Sequence, residues 1–262
     1  MQSSQGIAMV TGAYGAIGKA IARQMALKGY TTILIGRDEA KLKQASGEII
    51  HTTGNKNISF EVVDLSSKSS IRSLTERWKS SLQVLINNAA TTPRNRTETP
   101  EGIELQFATN VLGYFWMISF FSGFMEIAQD PRIVNVASYW AGGLDLTDPE
   151  FKNRRYNNDQ AYRQSKQADR MLTVAFAERL RPQGITVNSC HPGDVNSKLS
   201  NNLGFGGHES PDMGAATPVW LATDQSISGV SGKYFEQSAE VFCSFSKDKA
   251  GIEALFRLCE NY

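Results

Sequence analysis

Short apolar runs alternate with helix-length amphipathic stretches from one end of the chain to the other. "IAMVTG" (7–12), "TTILIG" (31–36), "ISFEVVD" (58–64), "LQVLIN" (82–87), "RIVNVAS" (132–138) and "GITVNSC" (184–190) are rich in Val, Ile and Thr. Runs of this kind predict strands buried on both faces, as in a parallel sheet. A weaker run, "GKYFE" (232–236), is a seventh candidate. Between them lies helical spacing. Ile17, Ala20, Ile21 and Met25 fall on one face ahead of Gly29, and Asp38 stands where it can N-cap a helix carrying Leu42 and Ile49. Strands alternating with helices predict an α/β fold, a doubly wound parallel sheet of about seven strands with right-handed crossovers. No repeat, linker or low-complexity tract interrupts the alternation, so a single domain over 1–262 is expected. The most apolar stretch, "VLGYFWMISFFSGFMEIA" (111–128), contains two glycines and a glutamate and reads as a buried helix rather than a membrane span.

Composition narrows the partners. A chain of 262 residues buries roughly 70 to 75% of its unfolded surface and needs no disulfide or structural metal. The formal net charge of +1, with no basic run, gives no field for nucleic acid or an anionic membrane. Cys190, Cys243 and Cys259 form no C-x-x-C pair, and the three histidines are scattered, so no metal ligand set is expected. No G-x-S-x-G occurs, which removes the nucleophile-elbow hydrolases. The first 30 residues hold glycines where a signal peptide needs an apolar core, and a cytoplasmic protein is expected.

In doubly wound sheets ligands bind beyond the carboxyl ends of the strands. There "TGAYGAIG" (11–18) leaves the first strand for the first helix, as a turn whose backbone N–H groups can meet a pyrophosphate. Gly12 suits the tight turn and Gly18 the close helix–strand packing. At the second strand's end stand Gly36 and Arg37. A carboxylate there binds a ribose 2′-hydroxyl, whereas an arginine accommodates a 2′-phosphate, so NADP(H) is favoured. A shift of the strand end would instead bring Asp38 to the ribose.

"TGAYGAIG", "VVDLSS" (62–67), "NNAA" (87–90), "TNVLG" (109–113), "VNVAS" (134–138), "AYRQSK" (161–166) and "HPGDVNS" (191–197) follow in one order. They resemble the signature series of the short-chain dehydrogenase/reductase family over nearly the whole chain. The 23 residues between Ser138 and Tyr162, with "HPGDVNSKL" and "SGKYFE", are most similar to the retinol dehydrogenase-like branch, which includes protochlorophyllide reductase-like enzymes. The resemblance implies a single-domain Rossmann fold and a catalytic tetrad of Asn110, Ser138, Tyr162 and Lys166. It implies NADP(H) contacts from Gly12, Tyr14, Gly15, Ala16, Ile17, Gly18 and Arg37, and an adenine pocket at Asp64 and Leu65. Asn88, Ala89 and Ala90 would lie beside the cofactor, as would Pro192 and Gly193, with Val195 and Ser197 at the nicotinamide carboxamide. Asn110 would hold a water leading to Lys166. The sequence departs at Ala16 and Ala90, each a usual glycine. Retinoid enzymes often carry a membrane anchor, which this sequence does not show, so retinol itself is not the expected substrate.

The chemistry agrees with that likeness. Tyr162 and Lys166, four apart, share a helix face. Carbonyl reduction needs a proton donor, and a nearby ammonium lowers the pKa of a phenol that otherwise titrates near 10. Ser138 can donate to the substrate oxygen. Tyr139, Trp140, Phe151 and Tyr156 flank an insertion near 139–160. They either wall an apolar pocket or pack the insertion down, while 198–214 reads as a glycine-rich lid. The expected activity is hydride transfer between NADP(H) and an apolar carbonyl or alcohol. The alternatives are reduction of an activated C=C bond and a catalytically idle NADP(H)-binding regulator. The aromatic surplus of Phe115, Trp116, Phe120 and Phe121 suggests a homodimer through that helix, unless the insertion covers it.

Overall fold

The computed structural model describes residues 5–262. Its strands are β1 (Ile7–Thr11), β2 (Thr31–Gly36), β3 (Ile58–Val62), β4 (Val84–Asn87), β5 (Arg132–Val136), β6 (Thr186–His191), β7 (Tyr234–Glu236) and β8 (Ala239–Glu240). They form one sheet in the order β3-β2-β1-β4-β5-β6-β7-β8. All neighbours pair in parallel except β7 and β8. The order reverses between β1 and β4, and that reversal opens the crevice in which such sheets bind ligands.

The expected seven strands are present, and the sheet adds an eighth that periodicity could not reveal. β8 has two exposed residues and is reached by a hairpin in which Gln237 and Ser238 take φ of 49° and 60°. Two such positive angles belong to the primed turn that matches strand twist, though this pair is not the usual Asn-Gly.

Helices cover both faces. On one lie α1 (Ala16–Leu27), α2 (Glu39–Thr53) and α7 (Pro211–Thr223), against Ala8, Val10, Leu34 and Ile86. On the other, α3 (Lys68–Arg77), α4 (Gly113–Phe121), α5 (Asn158–Arg179) and α8 (Lys249–Glu260) pack on Met9, Ile33, Leu85 and Ile133. β1 alternates its side chains between the two cores, as a pleated strand must. A short helix, α6 (Lys198–Asn202), stands outside both layers. Asp38 caps α2 by accepting from Lys41 N, and Gly29, at φ 87°, follows α1 as expected. Among the described residues no helix is long and apolar enough to cross a membrane.

The aromatic surplus of α4 has an internal use. Phe115 packs edge-on against Phe256 of α8, with centroids 5.0 Å apart, and Phe176 of α5 lies 5.1 Å from the same ring. The C-terminal helix thus covers Phe115, while Phe121 packs on Trp78 with centroids 5.9 Å apart. The insertion is tied down separately. Glu150 accepts from Glu104 N and from the Tyr262 hydroxyl, and Gln164 donates to the Pro149 carbonyl.

Phe256→Ala should cost about 3 to 5 kcal/mol in chemical denaturation, because the ring fills a three-aromatic cluster. A loss under about 1 kcal/mol would mean that α8 is not part of the core.

Candidate active site

The first loop is built to leave peptide N–H groups free. Gly12 takes φ +65°, and a side chain on it would stand 2.9 Å from the Ala89 α-carbon. Gly15 N donates to Gly12 O, closing the turn at 3.0 Å. A Cβ on Gly18 would collide with Gly12 O and approach Asn88 Nδ2 at 2.6 Å, so the helix can lie this close only with glycine there. α1 then begins at Ala16 with Gly15 as N-cap and no side-chain cap. Its first N–H groups face the crevice without a partner from a capping side chain, which is the donor set a pyrophosphate requires. Ala16 and Ile17 are half-buried in this turn. The methyl of Ala16 is accommodated, and so is that of half-buried Ala90.

Thr11 holds the crevice together. Its hydroxyl accepts from Asn88 N (2.8 Å) and Ala89 N (3.1 Å), and Asn88 Nδ2 donates to Thr11 O at 2.9 Å. Asn88 Nδ2 therefore ties β4 to β1. Thr11 has no place among the expected site residues. Its signal was its position, as the last residue of β1 opposite a strand end that carries Asn.

At the end of β2 the Tyr14 ring lies against Gly36, where a Cβ would stand 2.9 Å from Cδ1. Lys41 Nζ sits 5.6 Å from the centroid of that ring. The Asp38 carboxylate is engaged twice, as the α2 cap and in an ion pair with Lys41 at 2.7 Å, and Lys41 holds it below the usual carboxylate range. Arg37 is exposed and forms no ion pair among the described residues. Asp64, exposed past β3, folds its Oδ1 back onto Ser66 N and Oγ, while Leu65 is buried in the core.

The catalytic candidates converge beyond β5. Tyr162 and Lys166 lie on α5, buried, with Nζ 5.8 Å from the Tyr162 ring centroid. Lys166 Nζ donates to Val136 O at 3.0 Å and to Asp169 Oδ2 at 2.8 Å. Burial works against this ammonium, but Asp169 and the neighbouring phenols outweigh it and raise its pKa. Burial raises the Tyr162 phenol as well, and the Lys166 ammonium and Ser138 hydroxyl partly offset this. Ser138, two residues past β5, accepts from Trp140 N at 3.1 Å, and the Arg170 guanidinium donates to its carbonyl. Arg170 stacks on Tyr234 at 3.5 Å, so β7 braces the serine through it.

Asn110 lies in a π-helical turn, Phe107–Leu112. Such turns recur at functional sites. Its Oδ1 accepts from Thr91 N (2.8 Å), and its Nδ2 donates to Thr91 O (3.1 Å) and Ser165 Oγ (3.3 Å). The side chain thus pins the loop after β4 to α5.

A cleft of about 410 Å³, open to solvent, is lined by Ile17, Ser138, Tyr139, Trp140, Tyr162, His191, Pro192, Gly193, Asp194, Val195, Ser197 and Phe205 among others. Ser197 caps α6 in a reciprocal pair with Ser200, so its hydroxyl is already engaged. Phe205 meets Trp140 edge-on at 5.5 Å, and Tyr139 meets His191 at 4.6 Å. Burial holds His191 below its ordinary pKa, and its Nδ1 has no partner among the described residues. Of the insertion's aromatics, Tyr139 and Trp140 line the cleft. Phe151 and Tyr156 stack on each other at 5.3 Å, and the Tyr156 hydroxyl donates to Pro93 O. The packing role is therefore the right one for the second pair. The glycine-rich segment is tied to the loop past β6, with His208 N donating to Asp194 O at 2.8 Å.

A dinucleotide crevice beside a buried Tyr–Lys pair and a serine defines a nicotinamide-dependent oxidoreductase. The family model described as short chain dehydrogenase matches residues 6–205, and the chain belongs to that family, in its retinol dehydrogenase-like branch. Human retinol dehydrogenase 13 is 32% identical over 248 residues, covering 87% of this chain and 75% of that protein. Dehydrogenase/reductase SDR family member 12 of Bos taurus is 35% identical, over 82% of this chain and 70% of its own. A solved structure of an uncharacterized protein from Mycobacterium Paratuberculosis superposes with a TM-score of 0.83 at 27% identity, covering 98% of this chain and 93% of that one.

Thr11→Val strands two backbone donors of the crevice, so it should lower stability by about 1 to 3 kcal/mol. Thr11→Ser should restore most of that loss in the same denaturation measurement. Equal loss in both variants would show that packing of the methyl, not the hydroxyl, holds the two strand ends.

Proposed function

We propose that this chain reduces the carbonyl group of an apolar small molecule with NADPH, Tyr162 delivering the proton. The observation that carries the reading is the buried phenol of Tyr162, between Ser138 and Lys166, at the floor of an aromatic-walled cleft. A bound nicotinamide supplies the hydride. The remaining work falls to side chains of this chain. Ser138 donates to the carbonyl oxygen and stabilises its growing charge. Tyr162, kept protonated by burial, hands its proton to that oxygen. Lys166 steadies the phenolate that remains. Tyr139, Trp140 and Phe205 favour an apolar substrate body.

NADP(H) rather than NAD(H) is supported by Arg37, which is exposed and without an ion pair among the described residues, and by Asp38, whose carboxylate is already engaged. The uncapped start of α1 would hold the pyrophosphate, and Val195 and Ser197, which line the cleft, would hold the nicotinamide end.

The test begins with purified protein and NADPH oxidation against aldehydes, ketones, quinones and enones. With an active carbonyl substrate, Tyr162→Phe should lower turnover by about 10² to 10⁴-fold while NADPH affinity stays unchanged. Undiminished turnover would mean that the phenol carries no proton. Turnover of enones alone would replace carbonyl reduction with C=C reduction.

Arg37→Ala should weaken NADPH by about tenfold to a hundredfold in binding titrations and leave NADH nearly untouched. Equal affinity for the two cofactors in the unmodified protein would return the ribose to Asp38.

A further inference from the structure

Asp169 is fully buried on α5, one turn beyond Lys166 and on the same face. Its Oδ2 takes the Lys166 ammonium at 2.8 Å, and its Oδ1 has no hydrogen-bond partner among the described residues. A carboxylate so placed is costly unless it answers a charge. Among the described residues the only cation paired with it is Lys166. That lysine is equally constrained, with the Val136 carbonyl as its one other hydrogen-bond partner among the described residues.

We propose that Asp169 is a positioning residue whose carboxylate is the counter-charge that seats the Lys166 ammonium beneath Tyr162, and so sets the pH range over which Tyr162 keeps its proton. The proposal rests on the proton-donor reading of Tyr162.

The surroundings leave the role to Asp169 alone. α4 presents the Tyr114 phenol, whose ring lies 5.2 Å from Nζ and whose hydroxyl donates to the same Val136 carbonyl at 3.3 Å. Burial raises this phenol far above neutrality, so it stays uncharged. β6 presents the Cys190 thiol and α8 the Cys259 thiol, both buried and both pushed up by that burial, so neither is an anion at neutral pH. Arg170, next on α5, turns to the Ser138 carbonyl. Asp194 acts on Tyr162 from the loop past β6 and pairs weakly with His191 at 3.9 Å. Among the described residues Asp169 is thus the one anion in contact with the ammonium. Burial pushes its own carboxyl up to about 6, with Lys166 pulling it back, so the pair is ionised at neutral pH.

Asp169→Asn keeps the shape and one acceptor but removes the charge. A buried lysine without a counter-charge loses its proton well below the free-lysine value. Reduction requires both the charged lysine and the protonated phenol. If Lys166 discharges, its support for the phenolate is gone. If it stays charged, the loss of the Asp169 anion lowers Tyr162 itself. Either way the alkaline limb of kcat/KM moves to lower pH.

The experiment has two readouts. The first follows the Lys166 Cε resonance, assigned with Lys166→Arg in ¹³C-lysine-labelled full-length protein. In the unmodified protein it should titrate at or above about 10.4, the free-lysine value, and in Asp169→Asn at least about one unit lower. The second is the alkaline midpoint of kcat/KM for reduction, which should fall by about one unit in the variant. Titration of Lys166 near neutrality in the unmodified protein overturns the proposal even if the variant fails to fold. A folded variant with both midpoints unchanged overturns it too. A lysine that moves while the rate limb stays upholds the pairing and counts against Tyr162 as the donor.

Discussion

A lysine ammonium held out of water is the constraint around which this structure is arranged. Lys166 is 2% exposed, and such burial costs several kcal/mol unless every contact is made. Three elements meet to make them. β5 ends so that the Val136 carbonyl accepts from both Lys166 and the Tyr114 hydroxyl, α4 brings that tyrosine, and α5 supplies Asp169 a turn away. Moving any of the three would leave a charge or a buried hydroxyl unanswered. The Ser138 backbone is braced from the next turn of α5 by Arg170, so the helix that holds the base pair also places the serine.

The cofactor side of the cleft follows a different logic, that of close approach. Gly12 and Gly18 let strand, turn and helix come nearer than any side chain allows, and Thr11 locks β4 against them. The result is a helix N-terminus with its donors uncommitted, opening at the point where strand order reverses. The two halves meet at the floor of one cleft, where Ile17 from the first loop and Tyr162 from α5 are both exposed to it.

Much of this was legible because it rests on local rules. Strand runs of β-branched residues, a glycine turn between strand and helix, an N-capping Asp38 and a Tyr–Lys spacing of four each carry their physical meaning in a few neighbouring residues. What stayed hidden depends on tertiary contact. Asp169 and Arg170 sit at helical spacing from Lys166, a signal that spacing contains, yet only the fold shows that their side chains are buried. The contact of Phe115 with Phe256 joins residues more than a hundred positions apart, which no local pattern contains. Phe151 and Tyr156 could not be told from Tyr139 and Trp140 by composition. Their difference lies in which partners the insertion finds, Pro93 and Gln106 for one pair and the cleft for the other.

The central claim is that Tyr162 gives up the proton, and the pH dependence of reduction tests it most directly. Burial raises its phenol above the ordinary tyrosine value, Lys166 and Ser138 offset part of that, and the protonated form is the donor. Activity is therefore complete below that pKa and lost as pH rises through it. With an active carbonyl substrate, kcat/KM should be level through neutral pH and fall only on the alkaline side. The residual activity of Tyr162→Phe should lack that limb. A profile that already falls through neutrality, or an alkaline limb that persists unchanged in Tyr162→Phe, would contradict the account.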